Sequence, residues 1–221
     1  MKVAIIITTK NENDKAATCL EECQRQIDSL ASDEKYSFSI FMNTQGSMGI
    51  ESTWSHASKE QFEFYIFIDS DLSLIENALA VFLENSEFLR HKAIIVGSVA
   101  RKGELVFGGR TRRGRLIEPD PVIPVPCHLF DLNLAFIPEY AFSKVANPSD
   151  IFHRSILDYG YGERSAKADV ARVLAPGILA ETARQAEVPD WKNDELSFWR
   201  RSSSFLVNIV KKIIMAVRAS I

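Results

Sequence analysis

The chain is poor in the devices that hold small secreted folds together. Its three cysteines, Cys19, Cys23 and Cys127, are an odd count without the spacing of a disulfide framework, which argues against a stapled scaffold. No signal-peptide pattern precedes the first apolar run, so a reducing, cytoplasmic setting is expected. No apolar run reaches the roughly 18 residues that cross a bilayer. Internal repeats and low-complexity tracts are also missing. Acid is absent only locally: residues 196 to 221 hold none, while Arg200, Arg201, Lys211, Lys212 and Arg218 are basic. The whole chain carries a formal net charge of −3, which gives no reason to expect nucleic acid as a partner.

What is present is an ordinary globular composition, with 46% hydrophobic and 25% charged residues among 221. That length fits one generous domain, here bounded at 1–185, with an appendage at 186–221. Cys19 and Cys23 stand one helical turn apart, with Cys127-His128 far along the chain. A zinc set can be drawn from them, but small apolar core thiols are the simpler reading.

The stretch FYIFIDSDLSL, Phe64 to Leu74, organises the remainder. Tyr65 to Ile68 is a continuous apolar run rich in aromatic and β-branched residues, the pattern of a strand buried on both faces. It ends in Asp69 and Asp71 with one small residue between them, and alternation along an extended chain lets both point the same way. Ligands of open α/β sheets collect beyond the carboxyl ends of strands. Paired carboxylates there suit Mg²⁺ or Mn²⁺; capping a helix or lining a loop is the plainer alternative. Ser73 and Glu76 have capping-box spacing for a helix through Ala78, Leu79, Phe82 and Leu83.

Around this stretch the periodicities predict a βαβαβ order and a parallel sheet with right-handed crossovers. Val3 to Thr8 reads as a buried strand, and Ala16, Leu20, Cys23, Ile27 and Leu30 form a helical stripe. Tyr36 to Met42 reads as a strand, a helix is expected around Trp54 to Ser58, and Ala93 to Val99 is a further strand. The alternation then fails. Glu104 to Phe107, Gly108-Gly109 and the basic loop Arg110 to Arg115 read as a hairpin or flap, followed by a proline-punctuated segment to Pro126. That loop is either a grip for phosphate or an acidic acceptor, since arginine donates in a fork, or a solvated hairpin tip. Leu132 to Ile137 resumes strand character and Pro138 suits the start of a helix. Val170 to Leu174 is a last strand, which Pro176-Gly177 turns.

Three stretches together resemble a family 2 glycosyltransferase of the GT-A fold, the bacterial type that decorates polysaccharides. IIITTKN (Ile5 to Asn11) is similar to the opening strand and its Thr-x-Asn loop. YIFIDSDLSLIENAL (Tyr65 to Leu79) is similar to the strand, D-x-D and following helix. HRSILDYGYGERSAKAD (His153 to Asp169) resembles the acidic motif and its Tyr-Gly-x-Arg helix. Gly108-Gly109 and the strand from Asn133 to Ile137-Pro138 agree in order. The resemblance, which covers about Met1 to Thr182, implies a mostly parallel α/β sheet flanked by helices. It implies a nucleotide-diphosphate sugar donor held by Thr8, Asn11, Asp69 and Arg164, with Mn²⁺ or Mg²⁺ on Asp69 and Asp71. It also implies an inverting displacement with Asp158 as general base and a saccharide or lipid-linked acceptor. A helix N-cap is the alternative for Asp158, and a structural ion pair the alternative for Arg164.

The chain departs from the family at three places. Asn43-Thr44-Gln45 stands where relatives carry an acid, and Leu157 and Gly160 replace small or acidic residues. No histidine follows His153, which leaves Glu181 as the nearest substitute for a late metal ligand. Two competing readings follow. A nucleotidyltransferase of related architecture would open with a glycine-rich loop, and Thr8-Thr9-Lys10-Asn11 has no glycine. A catalytically degenerate binding protein fits the altered second-strand loop but not the retention of Asp69, Asp71 and Asp158 together.

The tail carries its own pattern. Phe205, Leu206, Ile209, Val210, Ile213, Ile214 and Val217 share one helical face, with Asn208, Lys211, Lys212 and Arg218 on the remainder. A basic amphipathic helix over 203–218 suits peripheral contact with an anionic membrane. Packing back on the domain or forming a homodimer interface is the alternative.

Overall fold

The computed structural model describes residues 1–9, 14–30, 35–43, 61–130, 132–145 and 158–183, with the side chains of 14, 15, 43 and 158–160 outside that description. The helix expected near Trp54, residue Asn11 and the tail with its 203–218 stretch lie outside the described residues. What is described falls within one compact unit, Met1–Gln185. Among the described residues no helix is long and apolar enough to cross a membrane.

Strand β1 (Lys2–Thr8) pairs in parallel with β2 (Ser37–Asn43) on one side and β3 (Phe64–Asp69) on the other, with Ile5 opposite both Ile40 and Ile66. Val3 to Ile7 are all fully buried, because both faces of the sheet are covered and polar alternation has no place to go. Val3, Ile5 and Ile7 join Ile66 and Ile68 in a core with Cys19, Cys23 and Ile27 of α1 (Asp14–Leu30). That core also takes Leu79, Phe82 and Leu83 of α2 (Ala78–Phe88). Ala4 and Ile6 join Tyr65 and Phe67 in a separate core on the opposite face.

The remaining elements are β4 (Leu72–Leu74), β5 (Ala93–Arg101), β6 (Glu104–Phe107), β7 (Gly109–Arg110), β8 (Val125–Pro126), β9 (Leu129–Phe130), β10 (Leu134–Pro138), α3 (Glu139–Val145), α4 (Asp158–Lys167) and β11 (Ala171–Thr182). The main path of the sheet runs β2-β1-β3-β10-β5-β11-β4, with β6 on β5 and β8 on β11, and β7 pairs β9 in a small separate sheet. Strands β1, β2, β3, β5 and β11 run one way, and β10 and β4 the other. The mostly parallel α/β sheet is as expected; the antiparallel insertion of β10 at its centre is added by the structure.

Two local expectations are corrected. Ser73 and Glu76 form no capping box: Leu72 and Leu74 point inward with Ser73 exposed, so this segment is the strand β4, paired to β11. Helix α2 begins at Ala78 after Asn77 in the left-handed region (φ 63°), without a side-chain cap from its own flank. A distant residue does that work. The buried Gln26 of α1 accepts from the Leu79 amide at 3.0 Å and donates to the Ile75 carbonyl at 2.9 Å, giving a partner to one of the first helical amides. Nor does Pro176-Gly177 end a strand. Strand β11 runs through it as a bulge between Leu174 and Ile178, where a missing amide and a φ of +69° at Gly177 are tolerated.

Gly97 of β5 shows how tightly β10 is inserted. A Cβ there would lie 2.5 Å from Leu134 Cδ2 and 3.2 Å from Phe82 Cζ. Overpacking of this kind costs about 1–3 kcal/mol. Gly97→Ala is expected to lower the urea midpoint accordingly, and an unchanged midpoint would show that β10 yields freely.

Candidate functional site

At the carboxyl ends of the parallel strands, Thr8 stands opposite Asp69 on one side and Asn43 on the other. Residues in one register row of a parallel sheet face the same way. Asp69 follows Tyr65 and Phe67 at two-residue spacing, which puts this row on the face opposite α1 and α2. The Asp69 peptide is clamped from both neighbouring segments. Its amide donates to the Asn133 carbonyl at 2.7 Å, and the next amide, of Ser70, donates to the Thr8 carbonyl at 2.9 Å. The Thr8 hydroxyl reaches the Ile68 carbonyl at 3.4 Å. Asp69 is 7% exposed, a depth at which a carboxylate is costly unless it is compensated.

The chain leaves the ladder at Ser70, and Asp71 sits in a turn. The strand alternation invoked to align the two carboxylates therefore does not apply, and a turn sets Asp71. That turn is tied by Thr182, the last residue of β11, whose hydroxyl donates to the Asp71 carbonyl at 3.3 Å. Glu181, the expected substitute ligand, is exposed and pairs by backbone with Ser73. Among the described residues no third His, Cys, Asp or Glu gathers with another pair as a metal-binding group. Strand alternation explains the exchange: with Glu181 outward, Thr182 is the residue turned inward. A donor set of one or two carboxylates nonetheless fits Mg²⁺ or Mn²⁺, which takes its other ligands from water and substrate phosphates.

Helix α4 packs on the same face as Asp69. Asp158 opens the helix, and Tyr161, one turn later, is fully buried in the core that holds Tyr65 and Phe67. The Tyr161 ring meets Phe130 edge-on at 6.1 Å and Phe142 at 6.3 Å, and burial pushes its phenol pKa upward. Gly162 lets α4 approach β9 closely, since a Cβ there would lie 3.2 Å from the His128 carbonyl oxygen and from Leu129 Cα. Arg164 is half-buried with its guanidinium 5.7 Å from the centre of the Tyr161 ring, a cation–π contact that orients it. Of the residues picked out by sequence, then, Thr8, Asp69 and Asp71 share the carboxyl-end row and its turn, while Asp158 and Arg164 belong to the helix covering that face. Thr182 and Asn133 were not picked out; Thr182 lies 111 residues from Asp71, and no local pattern signals such a contact.

The cysteines are core residues. Cys19 and Cys23 lie beneath one face of the sheet and Cys127 beneath the other, so the three cannot share an ion. A hydrogen bond with Cys19, followed by burial, pushes the Cys23 thiol far up, and burial pushes Cys127 up to about 12.

No protein-family model and no curated protein sequence matches this chain. Solved structures do. GalNAc-T7, in a crystal with UDP, GalNAc and Mn²⁺, superposes with a TM-score of 0.56 at 10% identity over 85% of this chain and 44% of that one. The protein A197 from STIV gives 0.54 at 14% identity, over 84% of this chain and 87% of its own. A fragment of S. aureus TarS gives 0.50 at 13% identity, over 82% of this chain and 60% of the fragment. GalNAc-T7 and TarS are glycosyltransferases of GT-A-like fold. The fold is GT-A. In that GT-A sheet, the Asn43–Thr8–Asp69 row and the Asp71 turn lie at the carboxyl ends, where ligands of open α/β sheets bind.

Two outcomes follow from this geometry. Thr182→Val keeps the volume and removes the hydroxyl, so unfolding free energy should fall by about 1 kcal/mol, read by denaturant titration. All three thiols should resist a disulfide reagent at pH 8 in the native protein and react together on unfolding, because all three are buried and burial keeps the reagent from the sulfur. Rapid labelling of Cys127 in the folded state would contradict its placement.

Proposed function

We propose that the chain is an inverting glycosyltransferase that moves a sugar from a nucleotide-diphosphate sugar to a hydroxyl of a saccharide or lipid-linked acceptor. The observation that carries this reading is the grouping of Thr8 and Asp69 in one register row, Asp71 in the turn after it, and α4 on the same face of a GT-A sheet. Thr8, Asn11 and Arg164 hold the donor, with Arg164 on its phosphates, and Asp69 and Asp71 face the diphosphate. Mn²⁺ or Mg²⁺ bound at those carboxylates supplies charge neutralisation for the departing diphosphate.

The acceptor oxygen attacks the anomeric carbon from the side opposite the diphosphate. The new carbon–oxygen bond forms as the bond to the diphosphate breaks, which inverts the centre. The acceptor's proton passes to the Asp158 carboxylate as general base. The neighbour crystallised with UDP, GalNAc and Mn²⁺ makes uridine donors the first to try. The basic stretch 203–218 would hold such an enzyme on the cytoplasmic face of a membrane, beside a lipid-linked acceptor.

Calorimetry with a panel of nucleotide-sugars should show binding that needs Mn²⁺ and disappears in Asp71→Ala. Equal affinity in EDTA would remove the metal from the reading. Asp158→Asn should lower turnover by about 10²–10⁴ with donor affinity little changed. Near-normal turnover in that variant would make Asp158 a helix-capping residue.

A further inference from the structure

The segment between β6 and β8, residues 108–124, takes no part in the site described above, yet it is built with unusual care. It leaves β6 through Gly108 (φ +144°), packed against Ser98, and forms a hairpin in which Arg110 bridges Leu116. The Thr111 amide donates to the Arg115 carbonyl at 2.8 Å, the Gly114 amide to the Thr111 carbonyl at 2.9 Å, and Arg110 Nη1 to the Gly114 carbonyl at 3.1 Å. Gly114, at φ +81°, and Thr111, whose hydroxyl accepts from the Arg115 amide at 3.2 Å, meet the needs of this turn. Of its guanidinium groups the turn uses only that of Arg110. Arg112, Arg113 and Arg115 nevertheless stand exposed on it, with no carboxylate within ion-pair distance among the described residues.

A second turn follows directly. One carboxylate oxygen of Asp120 accepts from the amides of Val122 at 2.8 Å and Ile123 at 3.0 Å. The Asp120 carbonyl accepts from the Gly177 amide at 2.8 Å, which fastens the turn to the bulge of β11. The turn so fixed holds Val122 76% and Ile123 60% exposed. Single exposed aliphatics are ordinary, but an adjacent pair on a braced turn, a few residues from three exposed arginines, is a composed surface. Arg115 and Val122 are seven steps apart along the chain, so they lie within about 25 Å of each other. Both anchors, Gly108 on Ser98 and Asp120 on Gly177, lie in the carboxyl halves of β5 and β11.

We propose that residues 108–124 form an arm that docks on an anionic lipid surface, with Arg112, Arg113 and Arg115 on the headgroups and Val122 and Ile123 entering the acyl boundary. Basic residues beside a short apolar tip match a layer that is anionic outside and hydrocarbon within. A soluble polyanion leaves the aliphatic pair without a role. Single-stranded nucleic acid would call for stacking side chains, and residues 108–124 contain no aromatic; a duplex, like any soluble polyanion, would leave the aliphatic pair unused. An apolar protein groove would have to desolvate three guanidinium groups. The inference stands apart from sugar transfer, because lipid binding is measured without turnover.

The test is flotation of the full-length protein with extruded vesicles of phosphatidylcholine alone or with one-third phosphatidylglycerol. Partitioning should require the anionic lipid and weaken as salt rises. Arg112→Ser with Arg113→Ser should lower it by roughly 25-fold, since each basic residue near such a surface contributes about fivefold. Val122→Ser with Ile123→Ser should lower it by about tenfold. Melting temperatures should stay unchanged, because all four side chains face solvent. Equal partitioning to neutral vesicles would overturn the proposal, as would either double variant within twofold of the parent. So would inorganic polyphosphate binding with the same arginine dependence while the vesicles do not bind.

Discussion

Strand β1 has no exposed face, and the geometry of the site depends on that. Its five central residues are fully buried, packed on one side against α1 and α2 and on the other against the aromatic core of Tyr65, Phe67 and Phe142. A slip of one residue against either neighbour would exchange the two faces, so burial from both sides specifies the register strongly. The register in turn decides which residues end side by side. Thr8 beside Asp69 and Asn43 is the last row of a ladder held by the five rows beneath it.

The second face is closed by aromatic packing. Tyr161 fits between Phe130 and Phe142, and Phe142 meets Tyr65 edge-on at 4.7 Å. This cluster holds α4 against the sheet and thereby sets where a helix bearing Asp158 and Arg164 can lie. Gly162 allows the approach, because any larger residue would press on the backbone of His128 and Leu129. The Tyr161 ring then serves twice, as core and as the surface against which the Arg164 guanidinium rests.

Elements that announce themselves by a local pattern were legible in the chain: the apolar runs of β1, β3 and β5, the stripe of α1, and the acidic end of β3. The fold class followed from their order. What stayed hidden depends on partners distant in sequence. Ser73 and Glu76 have capping spacing, but the alternation of Leu72 and Leu74 and the pairing with β11 outweigh it. The start of α2 is served by Gln26, which is 53 residues away. Pro176-Gly177 is turn chemistry by composition, yet a neighbouring strand on each side of β11 carries it through as a bulge. Of the candidate site, Asp69 and Asp71 stood out in the sequence because two carboxylates close a continuous apolar run. Thr182 was not, since an isolated threonine carries no signal until its partner is known.

The bulge in β11 connects more of the molecule than its size suggests. The four-residue step from Leu174 to Ile178 stands against the two-residue step from Val96 to Ser98 on β5. Such an excess bends a strand and increases its twist. The bend lets β11 pair with β5 along most of its length and still reach β4, where Thr182 lies opposite Leu72. From there its hydroxyl holds the turn that carries Asp71. The amide of Gly177, in the same bulge, is met by the Asp120 carbonyl. One irregularity therefore positions the acidic turn and anchors the loop bearing Val122 and Ile123. A residue with a side chain at Gly177 has open space around it but would be strained at φ +69°. Relief of that strain would move β11 and the Asp120 anchor together, because they share a single peptide.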